Sequence, residues 1–210
     1  IYYCQGLIVI FLINIYIILS IFYRGENFTV TLDSEYGRES GLVIYEDKEH
    51  KYTRTFLRSK DIDFFTDISV NWLPENINDE GDGSHNGRNY IAYTFYAENM
   101  GQDTINYWTT IKIDDVVKNV DEAIRVMIYR NGEREVYSKK NSRTGEAEAG
   151  TIAFKDDITV TDQQRTGFNP GDIDRFTIVI WVEGDDPDCV DALIGGMMKM
   201  HMDITEEHTY

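Results

Sequence analysis

FTIVIWV, residues 176–182, holds one polar side chain, Thr177, in seven positions. A run that short and apolar on both faces reads as the central strand of a packed sheet. Two further stretches set its context. In YIAYTFYAE, residues 90–98, Ile91, Tyr93, Phe95 and Ala97 fall on one face, with Thr94 and Tyr96 on the other. In MKMHMDIT, residues 198–205, Met198, Met200, Met202 and Ile204 alternate with Lys199, His201, Asp203 and Thr205. That is the pattern of a strand with one buried and one wet face. The same period of two predicts strands at 28–32, 42–45, 52–57, 67–72, 107–113, 125–129, 135–138, 151–154 and 158–161. Asn131-Gly132 predicts a tight hairpin, since both residues tolerate the positive φ of a type I′ turn. Only DDVVKNVDEA, residues 114–123, predicts a helix, with Asp114 or Asp115 as its N-cap. Many short strands between turns rich in Gly, Asn and Asp predict an all-β chain. The expected fold is an antiparallel β-sandwich, of jelly-roll or immunoglobulin-like type, with one short helix. No internal repeat is visible.

Outward from the strands, the N-terminus has a different composition. The first 23 residues carry no charged side chain, and GLIVIFLINIYIILSIF (residues 6–22) is interrupted only by Asn14 and Ser20. A bilayer-spanning helix needs about 20 mostly apolar residues, so residues 1–23 are expected to be a transmembrane helix, an anchor or an uncleaved signal. A cleaved signal would end in small residues, whereas this run ends in Ser20-Ile21-Phe22-Tyr23-Arg24-Gly25. The chain opens on Ile1, so residues upstream are expected. Residues 24–60 are charged and less regular, a stalk or added strands, and residues 61–210 are expected to form the sandwich.

The remaining composition excludes some partners. With 20 basic against 37 acidic residues, the net charge is −17, which argues against nucleic acid. Cys189 is the one Cys beyond residue 23, so no disulfide is expected within the domain. An apolar leader on an acidic domain is the layout of an exported protein. The domain is expected outside the cytoplasm, or released to the extracellular matrix if the signal is cut.

Candidate sites are few. NDEGDGSHNG, residues 78–87, offers oxygens from Asp79, Glu80, Asp82 and Asn86 on a loop hinged by Gly, the ligand type a calcium ion takes, although the EF-hand register is absent. EGDDPDC, residues 183–189, places four carboxylates just past the central strand. Paired carboxylates serve glycoside hydrolysis only when they face each other across a cleft; adjacent acids in a turn ending at Pro187 more naturally cap residues 189–193. His50, His85, His201 and His208 show no zinc spacing, and no G-x-S-x-G or phosphate loop occurs. Trp72, Trp108 and Trp181 would suit either a carbohydrate-stacking face or the core. No cofactor is expected other than such a calcium ion.

The order of YIAYTFYAEN (90–99), NYW (106–108), residues 114–123, the 176–184 strand and the closing 196–204 strand resembles the TasA/camelysin-like surface proteins of Gram-positive bacteria. It is closer still to membrane-anchored Firmicutes proteins bearing the same EGDDPDC turn. The resemblance covers roughly residues 62–210. It implies an exported jelly-roll domain that assembles into matrix fibres, the N-terminal segment of one subunit completing the sheet of the next. This chain departs from the pattern by keeping its apolar N-terminus and by the added 24–60 segment. No catalytic residue carries over, so an enzyme is not expected. The expected function is a membrane-anchored structural or adhesive protein of the cell surface or biofilm matrix. Its partners are the membrane, through residues 1–23, and its own kind by edge-strand addition. The alternatives are an exported hydrolase, metal-dependent or carboxylate-based, and a calcium- or glycan-binding surface module.

Overall fold

The structure, a computed structural model, describes residues 2–23, 27–33, 41–62 and 66–207; within the N-terminal helix, side chains are described for Gly6 and residues 8–17. The helix α1 (Tyr2–Tyr23) is followed by twelve strands: β1 (Phe28–Leu32), β2 (Leu42–Tyr45), β3 (Phe56–Arg58), β4 (Gly83–Ser84), β5 (Tyr90–Asn99), β6 (Ile105–Val117), β7 (Ile124–Arg130), β8 (Glu133–Ser138), β9 (Ile152–Ala153), β10 (Thr159–Phe168), β11 (Ile173–Val182) and β12 (Met197–Glu207). They form two sheets, ordered β10-β6-β12-β1-β3 and β2-β5-β11-β7-β8-β9, with β4 added on β5.

Alternation builds the core. Ile91, Tyr93, Phe95 and Ala97 of β5 and Phe176, Ile178 and Ile180 of β11 meet Tyr107 and Ile111 of β6 and Met198, Met200, Met202 and Ile204 of β12 between the sheets. The other face of β11 is apolar because it too is covered. Val179 and Trp181 join Ala92, Met127 and Ile77 in a second cluster, over which Ile68 and Leu73 pack. The outer face of the first sheet has no such cover, and its residues are polar: His201 and Asp203 on β12 stand beside Lys112 and Thr110 on β6. The Asn131-Gly132 turn takes φ of 55° and 89° and joins β7 to β8, as a type I′ hairpin requires.

The sandwich is mixed rather than wholly antiparallel, for β1 runs parallel to β12 and β9 parallel to β8. β1 and β3 sit in the first sheet and β2 in the second, so the segment between α1 and residue 60 supplies strands to both. β1 is interior, with β12 on one side and β3 on the other.

Four expected elements need correction. The helix at 114–123 does not form. Val116 and Val117 continue β6, Lys118 and Asn119 take φ of 61° and 53°, and one 3-10 turn (Val120–Glu122) follows. Two successive left-handed residues cannot sit inside a right-handed helix. Asp114, expected as an N-cap, is instead the extra residue of a β-bulge opposite Lys199 and Met200. The strand at 67–72 is a single bridge at Ile68 followed by a 3-10 turn (Val70–Trp72) capped by Ser69. The strand at 52–57 shrinks to β3, and the one at 158–161 lengthens to β10.

The transmembrane span expected at residues 1–23 is not found as such: among the described residues, no helix is long and apolar enough to cross a membrane. The backbone of α1 runs for 22 residues, of which the side chains at 8–17 are exposed.

One glycine is a tight constraint. Gly41, just before β2, has φ of +85°, and a Cβ there would lie 2.2 Å from the backbone nitrogen of Gly101. Gly41→Ala is expected to cost more than about 1 kcal/mol, read as a lower melting midpoint. An unchanged midpoint would show that the two loops move apart freely.

Candidate functional site

The residues with the densest chemistry lie where β11 ends and the chain turns through 183–189. Arg125, at the start of β7, is only 5% exposed, and Asp186 only 4%. Their charged ends are 2.6 Å apart, Nη2 to Oδ2, as an ion pair rather than an aligned hydrogen bond. A guanidinium that deep needs a carboxylate partner. The turn presents one because Asp186 Oδ1 accepts the Asp188 N–H (2.7 Å) while the Cys189 N–H donates to the Asp186 carbonyl (2.9 Å). Glu183 is buried beside it. Its Oε2 accepts from Trp181 Nε1 and from the Val70 N–H, both at 3.0 Å. Asp185 accepts from Ser69 Oγ at 2.6 Å. The four acids therefore tie β7, the 68–72 segment and the 138–151 loop to the end of β11.

Glu148, Asp186 and Asp188 bring carboxylate oxygens within 4.8 Å of one another. Each is already engaged: Asp186 by Arg125, Asp188 by the Ser142 N–H and O–H (3.0 and 2.6 Å), Glu148 by Asn141 Nδ2 (2.7 Å). The Ser142 hydroxyl, followed by its amide, holds the Asp188 carboxyl below its ordinary 3.8. A depressed carboxyl stabilises the fold above its unfolded value and loses that contribution as pH falls through the folded one. Ser142→Ala is thus expected to flatten part of the acid limb of a stability–pH curve below about pH 4, leaving the shape at neutral pH unchanged. Superimposable limbs would contradict this. Burial, then the charges of Asp67, Asp186 and Glu183, push the Cys189 thiol up, away from the thiolate.

A second polar joint crosses the core. Asp174 of β11, 2% exposed, accepts from the Tyr107 hydroxyl of β6, from Asn131 Nδ2 (2.7 Å) and from Arg165 Nε of β10 (3.3 Å). It clips one sheet to the other. Burial and then the Asp174 charge hold the Tyr107 phenol well above its ordinary value.

The loop proposed to hold calcium is arranged otherwise. Asp82 accepts from the Tyr96 hydroxyl (2.6 Å) and the Lys48 N–H (3.0 Å), and Asn86 spends its oxygen on the Ala92 N–H (3.0 Å) and its amide on the Lys60 carbonyl (2.7 Å). Asp79 closes a 3-10 turn (Ile77–Asp79), with Glu80 next to it. Among the described residues, the acids whose carboxylate oxygens lie within 4.8 Å of one another are Glu148, Asp186 and Asp188. Asp82 and Asn86 fasten the loop to β5 instead.

The other candidates disperse. His201 lies between Asp114 (2.6 Å) and Asp203 (3.2 Å) on the outer face of the first sheet. His85 bridges the carbonyls of Gly83 and Ile77, and His50 pairs with Asp47. His208 lies outside the described residues. Trp181 is inside the second cluster, Trp108 is on the outer face of β6 and Trp72 is exposed, so the three make no common platform. Sequence reasoning missed Arg125 and Tyr107. An Arg opening the apolar run of β7 was the available signal, since such a charge implies a buried acid nearby.

No family model matches the chain, and no curated protein does. Solved structures with some likeness include a selenomethionine-labelled β-glucosidase from Kluyveromyces marxianus, at 13% identity and a TM-score of 0.28, covering 77% of this chain and 17% of that one. The same β-glucosidase in complex with glucose gives 12% identity and a TM-score of 0.25, covering 77% and 15%. This chain spans less than a fifth of those chains, and a likeness so slight carries no argument about activity.

Proposed function

We propose that the protein is a surface component held at the membrane by α1, with the β-sandwich displayed outside the cytoplasm in a structural or adhesive role. One observation carries the reading: a 22-residue helix without a charged side chain leads, after four residues, into a strand interior to the sandwich. The sandwich is of the jelly-roll or immunoglobulin-like kind, and a relation to the TasA/camelysin-like proteins belongs to the same proposal. The carboxylates that would serve a hydrolase are spent on structure: Asp186 on Arg125 and Glu183 on Trp181. That favours the structural reading over the enzymatic one.

Fractionation tests it. The full chain is expected to stay with membranes through alkaline carbonate extraction, and protease added to intact cells is expected to remove the sandwich. Recovery in the carbonate-soluble fraction, or protection from the protease, would sink the reading. For the calcium-binding alternative, melting should be insensitive to added calcium, because the oxygens of Asp82 and Asn86 are already bonded; a raised midpoint, lost in Asp82→Ala, would revive it.

A further inference from the structure

The chain enters the sandwich at a defined end. The Asn27 carbonyl accepts from the Met200 N–H at 3.0 Å and its Oδ1 from the Ile62 N–H at 3.1 Å. That end also holds the start of β12, the close of β6 and the turns at 118–123 and 183–196, because β6 and β12 are antiparallel and β7 begins where β11 finishes. Four Cα steps separate Tyr23 from Asn27, so the last residue of α1 lies within about 15 Å of this end.

The same end is unusually apolar. Among the described residues outside α1, the large exposed apolar side chains elsewhere are Tyr52, Phe56, Met100 and Ile152, with Val70 two residues before Trp72. The rest crowd the entry end, with Trp72 81% exposed, Ile194 65%, Ile158 61%, Val190 52% and Met197 47%. Ile158 belongs here because its carbonyl accepts from the Ile113 N–H, level with Met200. Trp72 belongs here because the Ile68 N–H donates to the Val182 carbonyl at the end of β11. Within the 190–197 loop Leu193 packs on the core, while Val190, Ile194 and Met197 are exposed. Lys118 Nζ donates to the Ile194 carbonyl (2.6 Å), and a cavity of about 290 Å³ lined by Val120, Val182, Val190 and Leu193 lies beneath it. Exposed apolar residues in isolation need no explanation; a group of them on one end does.

We propose that this end of the sandwich rests on the lipid surface, with Val190, Ile194 and Met197 dipping into the headgroup layer and Trp72 beside them. The inference rests on the reading of α1 as a membrane anchor. If α1 spans the bilayer, the short link leaves this end no other neighbour, and Trp is the side chain best suited to that interface. The acids of the 183–191 turn share this end, so the contact is one of apolar insertion into zwitterionic lipid rather than attraction to anionic headgroups.

The test uses the full chain in phosphatidylcholine vesicles, plain or with brominated acyl chains that quench nearby indoles. Two reporters are compared in a Trp72→Phe background, Ile194→Trp at the entry end and Met100→Trp at the opposite end. Flotation with the vesicles is measured on the same samples. Bromination is expected to lower the Ile194→Trp emission about twofold, since interfacial residues sit roughly 5–10 Å into the headgroup–acyl boundary, and to leave Met100→Trp unchanged. Flotation with equal response from both reporters would keep the anchor and overturn the surface contact. Failure to float would remove the anchor, and this inference with it.

Discussion

Removal of residues 1–33 is expected to leave a chain without a cooperative thermal transition, and a peptide spanning residues 26–34 to restore one. The deletion takes out Phe28, Val30 and Leu32, of which the first two are 0% and the third 5% exposed. Burial of each such side chain is worth about 1.5–3 kcal/mol, and a whole domain holds only about 5–15 kcal/mol. The loss goes beyond side chains. β3 is joined to the first sheet through β1, so deleting one strand frees two and opens a long edge on β12. An edge of that kind accepts an added strand through main-chain hydrogen bonds. Near-ultraviolet circular dichroism during heating, with and without peptide, is the measurement. A deletion variant that melts like the intact chain and ignores the peptide would show that β1 is dispensable. One that recovers by pairing with another deletion variant would show the open edge to be promiscuous.

Asp186→Ala is expected to be the most damaging single substitution on the surface-facing turns, by roughly 3–5 kcal/mol, because it leaves Arg125 charged, buried and unpaired. For a domain of this size that is a drop in melting midpoint on the order of 10 °C. The pair itself is not worth that much. Replacing both partners with apolar residues, Arg125→Met with Asp186→Leu, should recover most of the loss, since desolvating two ions nearly cancels their attraction. A single variant within about 0.5 kcal/mol of the parent would mean that Arg125 reaches water by another rotamer. A double variant as unstable as the single would place the damage in the turn.

The strands that could be read in the sequence were those whose burial is written in their own residues. β11 is apolar on both faces, β12 alternates, and Asn131-Gly132 fits one kind of turn. β10 was cut short at residue 161 because it is an edge strand. From Asp162 to Gly167 it faces solvent, and an edge needs no apolar side chain to keep its hydrogen bonds with β6. The helix expected at 114–123 failed at Lys118 and Asn119, where tertiary context put two residues into positive φ that neither demands. FTVTL was legible as a strand, but nothing in five residues names a partner, and its parallel match to β12 comes from the far end of the chain. The candidate site divided the same way. The 183–189 acids were visible as a cluster in a turn, whereas Arg125, which pairs with Asp186, sat unremarked in β7.

That pairing of the first strand with the last has a consequence for how the protein is made. Phe28 has no native neighbour on that side until Met200 exists. At ribosomal speeds of about 5–20 residues per second, β1 waits roughly ten to thirty seconds for it. Contacts this distant along the chain also make for slow folding once synthesis ends. Throughout that interval a β-prone, apolar segment stands with its β12-facing edge open, and neighbouring chains at the same stage present the same edge. Synthesis of this protein therefore calls for a holding factor, or for low crowding around the emerging chain, more than its finished stability would suggest.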